Sequence, residues 1–223
     1  MKKYLMVFLS SILSGFCITL GATTFVLCNN GEFICKFLGA FMFCIGLYTI
    51  IHFNLWLYTG KVGYVLNNKL NYIPQVIVCF LGNALGSFTL SSIIAQTSIA
   101  PTLQERCLQI ANAKLDSTWY SILIMAMLCG VMIYLSVEGH KRAKYNLAKT
   151  VFAFMPIILF ILCGFEHVVA NVTYFTYAGV FNFKAFGYFV LMFLGNAIGA
   201  ILFDGLLKLI NKLSEEKKVE ETK

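Results

Sequence analysis

Apolar residues along this chain come in runs longer than the core helices of a soluble domain need, and polar residues gather in the short gaps between them. Six runs stand out, at about residues 4–28, 36–58, 72–97, 118–138, 150–178 and 184–211. A helix that crosses the hydrocarbon core of a bilayer takes roughly 20 mostly apolar residues. In lipid, a helix satisfies its own backbone hydrogen bonds without help from water. The pattern therefore predicts an all-α membrane protein of six transmembrane helices. A single transmembrane domain spans about 1–212, and a charged tail, expected in the cytoplasm, follows at 213–223.

Polar residues inside the runs are the next signal. The fifth run is uncharged from Phe152 to Tyr177 except at Glu166, which His167 follows. A carboxylate and an imidazole at membrane depth are expensive and face a protein interior or a water-filled path. Gly164 just before them is a weak point in a helix. The second run ends in Leu57-Tyr58-Thr59-Gly60-Lys61-Val62-Gly63, where glycines on either side of a lysine predict a break at Thr59-Gly60. His52, among apolar neighbours, reads as a packing residue. Gly15 and Gly21 in the first run permit close helix contact.

An internal repeat links these breaks. Phe80-Leu81-Gly82-Asn83-Ala84-Leu85-Gly86 recurs 113 residues later as Phe193-Leu194-Gly195-Asn196-Ala197-Ile198-Gly199. Three runs precede each copy's end, which predicts a duplication with repeat one at about 1–97 and repeat two at about 118–212. Three is an odd number, so the halves run in opposite directions across the bilayer as inverted repeats. Such repeats place a solute site near the midplane between helices broken at corresponding positions, here the second and fifth. Asn83 and Asn196 read as packing residues with a buried amide bond.

Composition and charge refine the picture. The chain is 59% hydrophobic and 12% charged, with mean hydropathy +0.79. Its net charge of +7 invites a nucleic-acid reading, which the distribution rejects. With the N-terminus inside, thirteen of the seventeen lysines and arginines fall on the cytoplasmic side, and Lys36, Arg106, Lys114 and Lys184 fall outside. That split follows the positive-inside rule and puts both termini in the cytoplasm. The stretch from Thr97 to Ser117 reads as the longest outer loop. The eight cysteines show no metal spacing, and Cys35 and Cys107 near the outer face leave a disulfide open. Lys2-Lys3 before an apolar run resembles a signal peptide, but the run is too long and lacks a clear cleavage site, so it is read as the first span.

Gly164-Phe165-Glu166-His167 followed by Ala170-Asn171 is similar to the GFEHSIANM signature of the formate/nitrite transporter family, and Leu57-Tyr58-Thr59-Gly60 looks like that family's LFTG turn. The resemblance covers nearly the whole chain. It implies an aquaporin-like six-helix fold, a homopentamer with one pore per protomer, and the cytoplasmic (inner) membrane of a bacterium. It also assigns pathway residues: His167 as the pore histidine, Thr59 as the threonine of the broken second helix, and Lys114 as a lysine at the outer mouth. Apolar constrictions match Phe43, Leu47, Leu57 and Tyr58 on one side of the site and Phe160 on the other. Glu166, Asn171, Gly60, Gly164, Asn83 and Asn196 are the supporting residues. Three positions depart from the family pattern: Gly130 replaces an asparagine after Cys129, Trp56 replaces an acidic residue, and Lys61 replaces an asparagine.

The implied function is passage of small monovalent anions of weak acids, such as formate, nitrite or hydrosulfide, together with protons. No enzyme activity, cofactor or metal is implied. Lys114 gathers the anion, apolar rings strip its water, and His167 with the Thr59 hydroxyl protonates or hydrogen-bonds it. Glu166, about 100° around a helix from His167, is expected to bond backbone at the break. The alternative is an aquaporin-like channel for small neutral solutes, but that family's Asn-Pro-Ala turns are missing. An intramembrane serine protease lacks its Gly-x-Ser-Gly turn, and an assembly subunit has no use for matched broken helices.

Overall fold

The computed structural model of the chain describes residues 2–221. Its helices are α1 (Lys2–Cys28), α2 (Phe33–His52), α3 (Tyr58–Lys61), α4 (Ile73–Ile94), α5 (Ala100–Leu115), α6 (Trp119–Arg142), α7 (Asn146–Leu162), α8 (Val168–Ala178) and α9 (Phe183–Glu221). Two 3₁₀ turns, Val62–Asn67 and Leu70–Tyr72, join α3 to α4. No strand occurs among the described residues. Five stretches (α1, α2, Leu70–Ile94, α6 and the apolar length of α9) are long and apolar enough to cross a membrane, and α7 is a shorter apolar helix.

Two expectations are corrected here. The stretch from Thr97 to Ser117 is mostly helix α5, started by Pro101 in its first turn. Its apolar face is thin: Leu103, Cys107 and Ala111 recur every fourth residue and are fully buried, and the helix packs on α8. The charged tail continues α9 as helix through Glu221, and residues 222–223 lie outside the described residues. Cys35 and Cys107 are free thiols.

The second correction concerns where the second apolar run is interrupted. Thr59 and Gly60 sit inside the short helix α3, and the non-helical residues are Phe53–Leu57. The sequence does not resume its helix at once because α2 ends in a left-handed residue, Asn54 at φ 51°. Leu55 N–H donates to Ile50 O at 2.9 Å and Asn54 N–H to Ile51 O at 3.2 Å. That paired pattern is a Schellman cap, in which asparagine can take the place of glycine. Helix α7 ends the same way: Gly164 has φ +72°, Phe165 N–H donates to Phe160 O at 2.9 Å, and Gly164 N–H to Ile161 O at 3.1 Å.

The repeated Gly-Asn segments hold what comes after each cap. Asn83 Oδ1 accepts from Tyr58 N–H at 2.7 Å, and its Nδ2 donates to Ser11 O and Trp56 O. Asn196 Oδ1 accepts from Val168 N–H at 3.0 Å, and its Nδ2 donates to Ala126 O and Glu166 O. Each amide thus ties the first residue of a restarted helix to the carbonyl two residues before it, and to the long helix alongside. Both asparagines are fully buried, where an unpaired backbone group is costly. Close approach makes this possible: a Cβ on Gly130 would collide with the Asn196 carbonyl, just as one on Gly15 would collide with that of Asn83.

Candidate functional site

The two helix interruptions face each other at the centre of the molecule. Thr59, in the first turn of α3, and His167, the N-cap of α8, meet with Oγ1 to Nε2 at 2.9 Å. Both are buried, at 1% and 2% exposure. The other ring nitrogen is already engaged: His167 Nδ1 accepts from Ala170 N–H at 3.1 Å, capping α8. A nitrogen that accepts a backbone N–H carries no proton, so the neutral ring bears its proton on Nε2. His167 therefore donates to the Thr59 hydroxyl, whose own hydrogen remains free to donate elsewhere.

A cavity lies on either side of this pair. The first, about 170 Å³, is lined by Lys36, Lys114, Phe160, His167 and Asn171 among others. The second, about 150 Å³, is lined by Leu47, Leu57, Gly60 and Lys61 together with Val137, His140 and Lys141. Between them the Phe43 and Phe160 rings meet edge-on at 5.8 Å, and Phe160 lies parallel to the His167 ring at 5.9 Å. Leu47, Leu57 and Phe43 are each 1% exposed. Apolar side chains thus flank a single polar pair on both sides, between one cavity and the other.

Three expected roles change. Lys114 is not a free charge, because its ammonium pairs with Glu166 Oε2 at 2.5 Å. Lys36, whose ammonium donates to Leu162 O at 3.0 Å, lines the same cavity without a carboxylate partner among the described residues. Glu166 bonds side chains rather than backbone: Oε2 also accepts from Asn171 Nδ2 at 2.9 Å, and the backbone of the interruption is held by Asn196 instead. Asn171 also donates to His167 O at 3.0 Å, so the Lys114–Glu166 pair reaches the histidine through one amide, whose Oδ1 remains buried without a partner. Tyr58, expected at the constriction, turns away. Its ring stacks on Phe193 at 4.6 Å and its hydroxyl donates to Phe193 O.

Several contributors escaped sequence reasoning. Asn54 has φ 51°, but asparagine, like aspartate, visits left-handed backbone only occasionally, so its presence in the sequence does not by itself mark a cap. Thr19–Thr173 (2.9 Å) and Thr23–Tyr177 (2.6 Å) are buried hydroxyl pairs that fasten α8 to α1. Threonines four apart in an apolar run are their only trace in the sequence. Lys61 meets the adjacent His140 and Lys141 only in three dimensions. Among the described residues no three His, Cys, Asp or Glu side chains converge as metal ligands.

Comparison with known proteins bears on this site. A family model described as formate/nitrite transporter matches residues 1–210. The chain is 27% identical over 201 residues to an uncharacterised transporter, YrhG, of Bacillus subtilis, covering 83% of this chain and 75% of that protein. It is 26% identical over 187 residues to the formate channel FocA of Haemophilus influenzae, covering 76% of this chain and 65% of that one. Among solved structures, a pentameric formate channel with formate bound superposes with a TM-score of 0.82 at 21% identity, over 95% of this chain and 98% of that one. An ion channel of the same family gives 0.76 at 20% identity, over 93% and 89%.

Proposed function

The chain belongs to the formate/nitrite transporter family, and from that premise we propose that it is a membrane channel for small monovalent anions of weak acids. The observation that carries this reading is the Thr59–His167 pair between two cavities, with its N–H donor held in place by the cap of α8. The permeant class is that of formate, nitrite or hydrosulfide; one relative is named a formate channel. The transmembrane channel domain is residues 1–212, built as six spans in two inverted repeats, with 213–223 as a cytoplasmic tail. The paired Schellman caps and the paired roles of Asn83 and Asn196 support that organisation. By analogy with the pentameric neighbour, the working assembly is a homopentamer with a pore in each protomer. It sits in a bacterial inner membrane with both termini in the cytoplasm, following the lysine distribution.

The chemistry follows from desolvation. A bare anion does not cross an apolar slit cheaply, whereas the same solute as a neutral acid does. Stripping water from an anion favours its protonated form, so the apolar side chains Phe160, Phe43, Leu57 and Leu47 drive proton uptake from the adjacent aqueous cavity. At the midpoint the solute needs a hydrogen-bond donor that is not itself a charge. His167 fills that role in its neutral form, since a proton on Nδ1 would face Ala170 N–H and break the cap. The Thr59 hydroxyl hydrogen is a second donor, and the His167 N–H that Thr59 Oγ1 otherwise accepts turns to the solute when the solute takes the place of that contact. Glu166 and Asn171 orient the histidine, and Lys36 with the paired Lys114 keeps the first cavity net positive, which concentrates anions.

Uptake by proteoliposomes of formate, nitrite and hydrosulfide, against water and glycerol, tests the class. Saturable uptake of the anions that is faster at about pH 5.5 than at about pH 7.5, without glycerol permeation, is expected from acid-form transit. Rapid water and glycerol flux with no anion uptake would replace the proposal with a neutral-solute channel.

A further inference from the structure

The second cavity holds a charge arrangement that the transport site does not use. Leu47 and Leu57 form one part of its wall, and Lys61, His140 and Lys141 line the rest. Neither lysine forms an ion pair among the described residues. The carboxylates on this side are otherwise engaged. Glu138 Oε1 accepts from Arg142 Nε at 2.7 Å and Oε2 from the Tyr64 hydroxyl at 2.8 Å. Asp204 pairs with Lys208 and accepts from Tyr134 and Asn67.

The two ammonium groups rest on aromatic faces instead. Lys141 Nζ lies 3.8 Å from the centroid of the Tyr64 ring, and Lys61 Nζ lies 5.2 Å from that of Trp56. A ring face attracts a cation through its quadrupole without cancelling its charge. An ammonium held this way keeps N–H donors for another acceptor. Two such cations on the rim of a small, half-enclosed space with apolar walls concentrate anions there, because low-dielectric walls focus the field.

We infer that this cavity is an anion-holding vestibule, in which Lys61 and Lys141 bind a small oxyanion of the permeant class on the opposite side of His167 from Lys114. The inference rests on the transport reading and goes beyond it by making the pathway unequal at its two ends. On one side Lys114 is neutralised by Glu166, which leaves Lys36, bonded to Leu162 O, as the one lysine of that cavity without a carboxylate partner among the described residues. On the other, neither lysine has a carboxylate partner. The vestibule therefore loads at lower anion concentration than the first cavity, without changing the equilibrium distribution across the membrane.

Flux measured from each side tests this. The end of α9 lies on the vestibule side, since Asp204 bonds Asn67 next to the Lys61 segment. A tag at the C-terminus therefore scores the orientation of the reconstituted full chain. Formate is the probe, with Lys61→Gln, Lys141→Gln and their Arg counterparts. Each Gln variant raises the half-saturating concentration from the tagged side by roughly three- to tenfold, the scale of one partly screened charge. It leaves the opposite side unchanged, and the Arg variants retain wild-type values. A second readout needs no transport. The chain has two tryptophans, so Trp119→Phe isolates Trp56, and nitrate, a small oxyanion quencher, should dim its fluorescence saturably until Lys61→Gln is added. Equal half-saturation for all variants from both sides, with quenching that never saturates, would overturn the vestibule while leaving the transport reading intact. No formate flux in wild type would overturn the transport reading, and saturable quenching would still decide whether the vestibule binds an anion.

Discussion

Thr59 and His167 are 108 residues apart and meet at 2.9 Å between Oγ1 and Nε2, with the other imidazole nitrogen capping α8. This single contact joins the two helix interruptions and separates the two cavities. Replacing the hydroxyl tests its role without altering shape. Thr59→Val leaves a buried N–H donor without a partner, which costs about 1–3 kcal/mol. It removes one of two donors to the solute, and a fall in anion flux of about tenfold or more is expected. Thr59→Ser retains most of the wild-type flux. Proteoliposome uptake with folding checked by size-exclusion chromatography measures both.

Gly164 occupies left-handed backbone at φ +72° with open space where a Cβ would sit. Gly164→Ala therefore reports backbone strain alone, a loss of about 1–2 kcal/mol. Asn54→Gly at the matching cap is expected to be close to neutral and Asn54→Val clearly destabilising. Thermal unfolding in detergent ranks the three.

The buried amides should behave as a matched pair. Asn83→Ala and Asn196→Ala each strand a backbone N–H and two carbonyls. A loss of about 2–4 kcal/mol each follows from those unpaired groups. Similar drops in melting temperature for the two variants support equivalent roles. A loss confined to one of them argues against equivalence.

Much of this is legible in the sequence. Glu166 and His167 announced themselves because a carboxylate has no business in an apolar run unless something pairs with it. The Gly-Asn repeat pointed to equivalent positions in the two halves. The partner of Glu166 was not legible, since Lys114 lies 52 residues earlier on a helix whose apolar stripe is one residue in four. The interruption after α2 lies at Phe53–Leu57 and not at Thr59-Gly60, and the sequence does not show it, because asparagine tolerates left-handed backbone without requiring it and Asn54 carries no mark. The family resemblance puts Tyr58 at the constriction. Its direction was decided by a carbonyl, Phe193 O, that sequence alone does not position.

The Lys114–Glu166 pair is itself testable. Side-chain exposures of 14% and 6% make it largely buried, and removing one member of such a pair costs about 3–5 kcal/mol. Glu166→Gln should lower the melting temperature, and adding Lys114→Met should recover part of the loss. A double-mutant cycle gives the coupling, and strict additivity would contradict the pairing.

The central claim is that a neutral His167 donates a hydrogen bond to the permeant at the midpoint. The most direct measurement is formate uptake by wild-type, His167→Ala and His167→Asn proteins, each shown to be assembled and thermally stable. The account predicts saturable wild-type uptake, a loss of about tenfold or more in His167→Ala, and partial recovery in His167→Asn, whose amide still offers an N–H. Wild-type uptake by a correctly assembled His167→Ala protein would contradict it.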